Sequence, residues 1–338
     1  MLRSFARVSV SLDIDNVTNR LVERLYSNSS GVHQRFSRRF QILAYHKVSP
    51  EAHPFFEAVD PLVFEQQILF LKRCYKVMDL EELVERSRRG EVPERAVAIT
   101  FDDGYRDNYE HAFPILKRHG LPATIFLVTG VIGTGEVIWH DRIFDSFRFA
   151  TRKRARLRHT DLPELILETV EAQHQSLKLV LDEAKGLHGE GRLRFVEEVE
   201  RALQPATCQP QRMLNWEQVR EMRDAGIAFG SHSVTHPVLS RIPRAELVKE
   251  LHESKRVLSD HLGAPIRAFA YPNGKTRDYN HEVKMVLKEC GYTCAATCEW
   301  GFNPVFSDPY ALRRGLPWHR EIELFRLRFF LQRHGLDR

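Results

Sequence analysis

Cysteine is scarce in this sequence, and its pattern argues against a disulfide-stabilised fold. The 338 residues include five cysteines, an odd number in a chain long enough to bury a large hydrophobic core. Such usage is typical of a reducing compartment. Cys290, Cys294 and Cys298 fall four residues apart, without the paired C-x-x-C spacing of structural zinc sites. We therefore expect inert thiols.

Long apolar segments are absent as well. No stretch approaches the roughly 18 apolar residues that a membrane-spanning helix needs, and no apolar segment of signal-peptide length precedes Asp13. These absences predict a cytoplasmic protein. Two basic segments, residues 148–159 and the amphipathic residues 322–331, leave open a peripheral contact with the inner face of the membrane. We expect the second segment to pack against the core instead.

An excess of one charge sign is also missing, since 50 basic residues stand against 45 acidic ones. The net charge of +5 suits an anionic substrate but falls short of a nucleic-acid-binding protein, so no nucleic-acid partner is expected. A hydrophobic fraction of 43% and a charged fraction of 28% indicate a globular protein. The sequence leaves the oligomeric state open.

Short apolar segments alternate with helical periodicity from residue 40 onward, which predicts an α/β fold built from parallel βαβ units. Residues 1–39 are polar and form a predicted N-terminal extension. Residues 40–338 form the main domain, which a charged, helix-prone stretch at about 136–212 interrupts as a predicted helical insertion. Buried strands are predicted at residues 40–45, 96–101, 123–128, 227–229, 268–271 and 293–297.

A pair of carboxylates follows one of these strands. Asp102 and Asp103 come directly after residues 96–101 and are followed by Gly104. Side chains alternate along a strand, so both carboxylates can serve one site only where the strand breaks, and the glycine supplies that break. Adjacent carboxylates repel each other unless a cation or a proton lies between them.

A pair of histidines follows another strand, at His232 and His236. We expect the i, i+4 spacing to place both imidazoles on one face of a helical turn, from which both can reach one ion. Two histidines and one carboxylate leave open positions on a metal, as catalysis requires. Such an ion lowers the pKa of a bound water to about 7, and the second carboxylate can act as general base.

These segments together resemble the polysaccharide deacetylases, the NodB-homology family of carbohydrate esterase type. The resemblance rests on Thr-Phe-Asp-Asp-Gly at 100–104 and Ser-His-Ser-Val-Thr-His at 231–236, supported by residues 42–48 and 269–274 in the same order. It implies a distorted, incomplete (β/α) barrel, similar to a TIM barrel. It also implies an amide hydrolase that removes acetyl groups from an N-acetylated sugar.

The resemblance assigns roles to particular residues. Asp102 would be the base that activates the metal-bound water, and Asp103, His232 and His236 would bind a divalent metal, most often zinc. The backbone N–H of Asn273 would help to stabilise the oxyanion, and Tyr271 and Pro272 belong to the same segment.

Two departures from the family pattern concern the groups around the metal. The arginine that usually precedes the proline of the third motif is replaced by Ala270 and Tyr271, so Arg313 or Arg314 would have to orient the base. The late Leu-x-His motif is also missing, and His319 stands at a shifted spacing. We therefore expect His46, after the first strand, to be the proton donor.

The leading hypothesis is a metal-dependent hydrolase that removes N-acetyl groups from an N-acetylhexosamine-containing glycan or glycan precursor. An intracellular enzyme would act on a precursor, lipid-linked or nucleotide-linked. Two alternatives remain open. The same chemistry would serve an amidase or esterase with a non-carbohydrate substrate, and a catalytically inactive sugar-binding module would retain the fold.

Overall fold

A computed structural model describes residues 38–206, 212–317 and 320–334 of the chain. Residues 1–37 of the predicted N-terminal extension and His319 lie outside the described residues. Strands and helices alternate along most of the described chain, as the sequence predicts. The strands are β1 Arg39–Tyr45, β2 Lys47–Val48, β3 Ala58–Val59, β4 Lys76–Val77, β5 Ala96–Phe101, β6 Thr124–Leu127, β7 Arg154–Ala155, β8 Leu165–Ile166, β9 Ala228–Ser231, β10 Ala268–Ala270, β11 Cys294–Trp300, β12 Asn303–Pro304 and β13 Leu312–Arg314.

The helices connect these strands and cover the outside of the sheet. A π-helical turn at Asn108–Ala112 and a 3-10 turn at Leu239–Arg241 supplement them. The helices are α1 Pro61–Cys74, α2 Leu80–Arg89, α3 Phe113–His119, α4 Trp139–Arg148, α5 Val170–Gly186, α6 Gly189–Leu203, α7 Trp216–Asp224, α8 Arg244–Leu262, α9 His281–Glu289 and α10 Ile322–His334.

One large sheet runs through the molecule in the order β12-β1-β5-β6-β9-β10-β11-β13, with β4 beside the start of β5. All neighbouring pairs are parallel except β1 with β12. The segment after β13 returns to β1, where Ala44 N donates to Gly315 O at 2.9 Å and Gly315 N donates to Ile42 O at 2.7 Å. The predicted distorted, incomplete (β/α) barrel is therefore confirmed.

Alternation along the strands divides the core into two layers. One set of strand residues, such as Ile42, Ala98 and Ala270, packs together with the side chains of α2, which lies across one end of the barrel. The alternate residues, such as Leu43 and Ile99, pack against the outer helices. This arrangement leaves the carboxyl ends of the strands facing the other end of the barrel.

The predicted insertion contains α4, α5 and α6, and these helices share a hydrophobic cluster of their own. The structure adds a short antiparallel pair, β7 with β8, that the helical pattern did not predict. At the other end of the chain, α10 buries Phe325 and Phe329, and the Phe329 ring lies 4.9 Å from that of Tyr75. The C-terminal segment thus packs on the barrel, as predicted. None of the helices in the described ranges combines the length and apolarity needed to cross a membrane.

Candidate metal centre

The motif residues meet at the carboxyl ends of the parallel strands. Asp102 and Asp103 follow β5, and His232 follows β9. His46 follows β1 and Tyr271 follows β10. Active sites of parallel α/β barrels form at this end because the loops after neighbouring strands converge there.

The break after β5 lets both carboxylates face the same site. Asp103 adopts a left-handed backbone with φ 74°, and Gly104 follows with φ 82°. A side chain at position 104 would also place its Cβ 2.6 Å from Leu127 Cδ2, so glycine is required there for space as well as for conformation. The predicted role of Gly104 in turning the chain agrees with this geometry.

Three buried side chains bring one ligand atom each to a common point. Asp103 Oδ1 lies 3.6 Å from His232 Nε2 and 3.5 Å from His236 Nε2. The ligand atoms of the three residues all lie within 4.8 Å of one another. Asp103 Oδ1 is buried and has no hydrogen-bond partner in the described part of the chain. A buried carboxylate oxygen between two imidazoles fits a divalent cation.

The protonation of the histidines also suits a cation. His232 Nδ1 lies 2.7 Å from Ala270 O, and because a carbonyl only accepts, Nδ1 carries the proton and Nε2 presents a lone pair. Burial lowers the pKa of both His232 and His236, which favours neutral imidazoles. Burial raises the pKa of Asp103 well above its ordinary value, and the charge of Asp102 raises it further. A bound cation would offset both contributions to the raised pKa of Asp103, because it stabilises the ionised carboxylate.

The prediction that a helical turn connects His232 and His236 is wrong. Residues 232–236 form a loop, in which Ser233 has φ 66° and His236 has φ 56°. The left-handed residues bend the chain so that both imidazoles still point to Asp103, with ring centroids 4.9 Å apart.

Asp102 is held by Arg314. The two guanidinium nitrogens Nη1 and Nη2 donate to Asp102 Oδ1 and Oδ2 at 2.7 and 2.6 Å, and both residues are buried. Burial alone would raise the pKa of Asp102, but the charge and hydrogen bonds of Arg314 hold it well below its ordinary value. Arg313 is exposed on the opposite face of β13, so the structure brings only one of the two predicted arginines to the site.

His46 lies on the other side of Asp102. Its Nε2 is 3.8 Å from Asp102 Oδ2, and its side chain is 26% exposed. Burial of the imidazole lowers the pKa of His46 to about 4, against the attraction of the Asp102 charge. The structure therefore places the predicted proton donor beside the predicted base.

These groups line one cavity of about 170 Å³. Asn273 lines it with φ 61°, and its buried Nδ2 has no partner within the described ranges. Tyr271 also lines it and donates its hydroxyl to Tyr310 O at 2.9 Å, whereas Pro272 and Arg313 are not among the lining residues. Sequence reasoning missed several lining residues, most of them from the insertion: Phe56, Trp139, His140, Phe144, Leu181, Lys185 and Cys298.

Comparison of the sequence with known proteins points to one family. A family model described as polysaccharide deacetylase matches residues 89–295. YxkH of Bacillus subtilis, which bears the name of a polysaccharide deacetylase, is 24% identical over 221 residues, 65% of this chain and 51% of that protein. The poly-beta-1,6-N-acetyl-D-glucosamine N-deacetylase of Staphylococcus aureus is 44% identical over 71 residues, 21% of this chain and 24% of that protein. The chain thus spans about half the length of the first relative and a quarter of the second.

Solved structures share the fold. The Streptococcus pyogenes deacetylase PplD in complex with acetate matches with a TM-score of 0.56 at 21% identity, over 82% of this chain and 92% of that chain. IcaB from Ammonifex degensii matches with a TM-score of 0.56 at 20% identity, over 85% and 97%. The family model covers more than half of the sequence, including the strands that carry both carboxylates and both histidines. The chain therefore belongs to the polysaccharide deacetylase family.

Proposed function

We propose that this chain is a metal-dependent hydrolase that removes N-acetyl groups from an N-acetylhexosamine-containing glycan or glycan precursor. The observation that carries the proposal is the buried, unpartnered Asp103 Oδ1 between two imidazole nitrogens, next to a second carboxylate that an arginine holds. Asp103, His232 and His236 would hold a divalent metal, and the nitrogen-rich ligand set suits zinc. When bound there, the metal would polarise the acetyl carbonyl and acidify water.

Asp102 would act as the general base. Arg314 fixes both carboxylate oxygens and keeps the side chain ionised, so Asp102 can accept a proton from the attacking water. In this arrangement Arg314 is a positioning residue, because its guanidinium binds Asp102 and is not among the residues that line the cavity.

His46 and Asn273 would act on the leaving amine and on the oxyanion. His46 stands at the cavity wall beside Asp102, where its imidazole can pass to the departing amine the proton that Asp102 takes from the attacking water. The backbone N–H of Asn273 would donate to the oxyanion, because the left-handed residue after Pro272 lies at the same cavity. Water adds to the carbonyl, the C–N bond breaks, and the products are acetate and the free amino sugar.

The substrate class follows from the relatives and from the cavity wall. The S. aureus relative is named for an N-acetylglucosamine polymer, and the two chains are 44% identical over 71 residues. Phe56, Trp139 and Phe144 line the cavity and offer apolar faces against which a sugar ring can stack. We therefore propose an N-acetylglucosamine-type unit as the substrate, free, polymeric, or linked to a lipid or nucleotide.

The test is acetate release by the full chain loaded with zinc, from N-acetylglucosamine oligomers, nucleotide sugars and lipid-linked sugars. Asp102→Asn should lose roughly 10²–10⁴-fold in kcat, the usual contribution of a general base, while retaining stoichiometric metal. Asp107→Asn is the matched control, since this carboxyl lies on the same segment but outside the metal cavity.

The outcomes separate the alternatives. Normal deacetylation by Asp102→Asn would show that the proposed base is wrong. Release of acyl groups from simple amides and esters but from no sugar would favour the non-carbohydrate amidase or esterase. Stoichiometric metal with no hydrolysis of any substrate would favour an inactive sugar-binding module.

A further inference from the structure

The insertion binds the backbone of the loop that carries His236. Trp139 Nε1, in the first turn of α4, donates to His236 O at 3.0 Å. Arg192 of α6 donates from Nη1 to His236 O at 3.4 Å and from Nη2 to Thr235 O at 3.1 Å. The Arg192 guanidinium carbon lies 5.1 Å from the centre of the Trp139 ring. Two side chains of the insertion therefore converge on two consecutive carbonyls of this loop.

The rest of the loop is held by the barrel. Thr129 N donates to Ser233 O at 3.1 Å and Gly130 N donates to Val234 O at 3.0 Å. On the opposite side, Glu250 of α8 accepts from Val234 N at 2.8 Å and from the next N–H at 3.0 Å. The barrel thus fixes the first half of the loop, and the insertion reaches the carbonyls at and next to the ligand His236.

The loop needs such support because its backbone is strained. Ser233 and His236 are both left-handed although neither is glycine. Residues in this conformation persist only when their surroundings hold them. Arg192 is 4% exposed, and burial lowers its pKa to about 10, so it remains charged at neutral pH and strengthens its hydrogen bonds. Burial of the Arg192 charge costs free energy, so its place beside this loop indicates that the loop conformation matters.

The same turn of α4 also reaches the segment that carries Asp103. Asp141 Oδ2 accepts from the hydroxyl of Tyr105 at 3.0 Å, and Asp141 Oδ1 lies 3.5 Å from Lys47 Nζ. Tyr105 stands two residues after Asp103. Two residues of one helical turn, Trp139 and Asp141, therefore contact both of the segments that carry the candidate metal ligands.

From these contacts we infer that Trp139 and Arg192 are positioning residues for His236, so that the insertion is part of the metal centre and not an addition to it. The inference rests on the proposed metal binding and adds to it which part of the chain fixes the ligand. Metal–nitrogen distances near 2.0–2.1 Å tolerate deviations of only about 0.2 Å. Loss of the hydrogen bonds to His236 O would let the His236 backbone move and would therefore weaken metal binding.

The experiment measures zinc affinity of the full chain by competition with a chromophoric chelator, independently of activity. Trp139→Phe keeps an aromatic ring but removes the N–H donor. Arg192→Lys keeps the charge but removes the two guanidinium nitrogens that donate to the two carbonyls. Each should bind zinc about 10–100-fold more weakly, the usual cost of losing a group that orients a metal ligand. Arg142→Gln is the control, because it breaks a two-bond ion pair between α4 and α6, at 2.7 Å each, without touching the loop.

Thermal melting in excess chelator establishes that each variant folds. If one of Trp139→Phe and Arg192→Lys does not melt like the wild type, the zinc affinity of the other variant decides the test. Folded variants with wild-type zinc affinity would overturn the inference while leaving the proposed function standing. An equal loss of affinity in Arg142→Gln would also overturn it, since any loosening of the insertion would then suffice. Failure of the wild-type chain to bind a metal would refute the proposed function instead.

Discussion

Replacement of Arg314 by glutamine tests how the proposed base is held. The guanidinium donates two hydrogen bonds to the Asp102 carboxylate at 2.6 and 2.7 Å and one from Nε to Thr297 O at 2.7 Å. Arg314 and Asp102 are each only 1% exposed, so the variant leaves a carboxylate buried with its main partner gone. Breaking a buried ion pair from one side costs about 3–5 kcal/mol.

That cost can be measured as stability. Two charge-assisted hydrogen bonds at about 1.5–3 kcal/mol each give a similar sum, so the two ways of counting agree. For a chain of 338 residues the unfolding entropy near Tm is roughly 0.7 kcal/mol per degree, and Tm should fall by about 4–7 °C. The assay is urea denaturation and thermal melting, both in excess chelator so that metal binding does not contribute.

The neighbouring residue provides the control. Arg313 is exposed, and its replacement by glutamine should change the free energy of unfolding by no more than about 0.5 kcal/mol. The double variant Asp102→Asn, Arg314→Gln should recover part of the loss, because no buried charge is then left alone. Equal stabilities of Arg313→Gln and Arg314→Gln would refute the reasoning.

Three further predictions concern two glycines, the metal and a buried carboxyl group. Gly120→Ala should lower the free energy of unfolding by about 1–2 kcal/mol, because alanine is strained in a left-handed backbone. No atom lies within 4 Å of the new Cβ, so no crowding adds to this loss. Gly104→Ala should lower the free energy of unfolding, measured by urea denaturation, by roughly 1–3 kcal/mol more than Gly120→Ala does. The reason is that its Cβ would lie 2.6 Å from Leu127 Cδ2. Equal losses in the two variants would show that this crowding has no effect. Zinc at 100 times its Kd should raise the free energy of unfolding by about 2.7 kcal/mol, and a calorimetric response that persists in Asp103→Asn would contradict the ligand assignment. Burial raises the pKa of Asp107 to about 7, so folding favours the protonated carboxyl and this group's contribution to stability is lost as pH rises from about 4 to 7. Asp107→Asn should therefore be more stable than the wild type above pH 7, with a gap that closes toward pH 4; a gap of constant size would show that the pKa is not raised.

The strands and the two ligand motifs could be predicted from the sequence because their signals are local. A β-branched apolar run such as Val97–Phe101 of β5, ended by two carboxylates and a glycine, reports both the strand and its break. Parallel βαβ order then places all such breaks at one end of a barrel. The spacing of His232 and His236 was less informative, because a left-handed loop brings residues i and i+4 together as a helix does.

The walls of the site could not be predicted in this way. Trp139 and His140 belong to a helix of the insertion, and no periodicity tells which of its residues face a cavity built by other segments. The choice between Arg313 and Arg314 depended on the register of β13, a strand of three residues whose faces only the neighbouring strand decides. The spacing of the cysteines also did not reveal that Cys298 Sγ lies 3.6 Å from Arg314 Nη2 at the edge of the cavity.

The closure of the barrel has a consequence for the order in which the chain folds. Arg314 and Asp102 are 212 positions apart, and the bonds between Gly315 and β1 join the first strand to the segment after the last. Contacts of such long range form late, because the entropy of closing the intervening chain must be met first. During synthesis the Asp102 carboxylate would lack its partner until the segment that carries Arg314 has emerged. The proposed base can thus be aligned only after β13 has been made and the segment after it has joined β1.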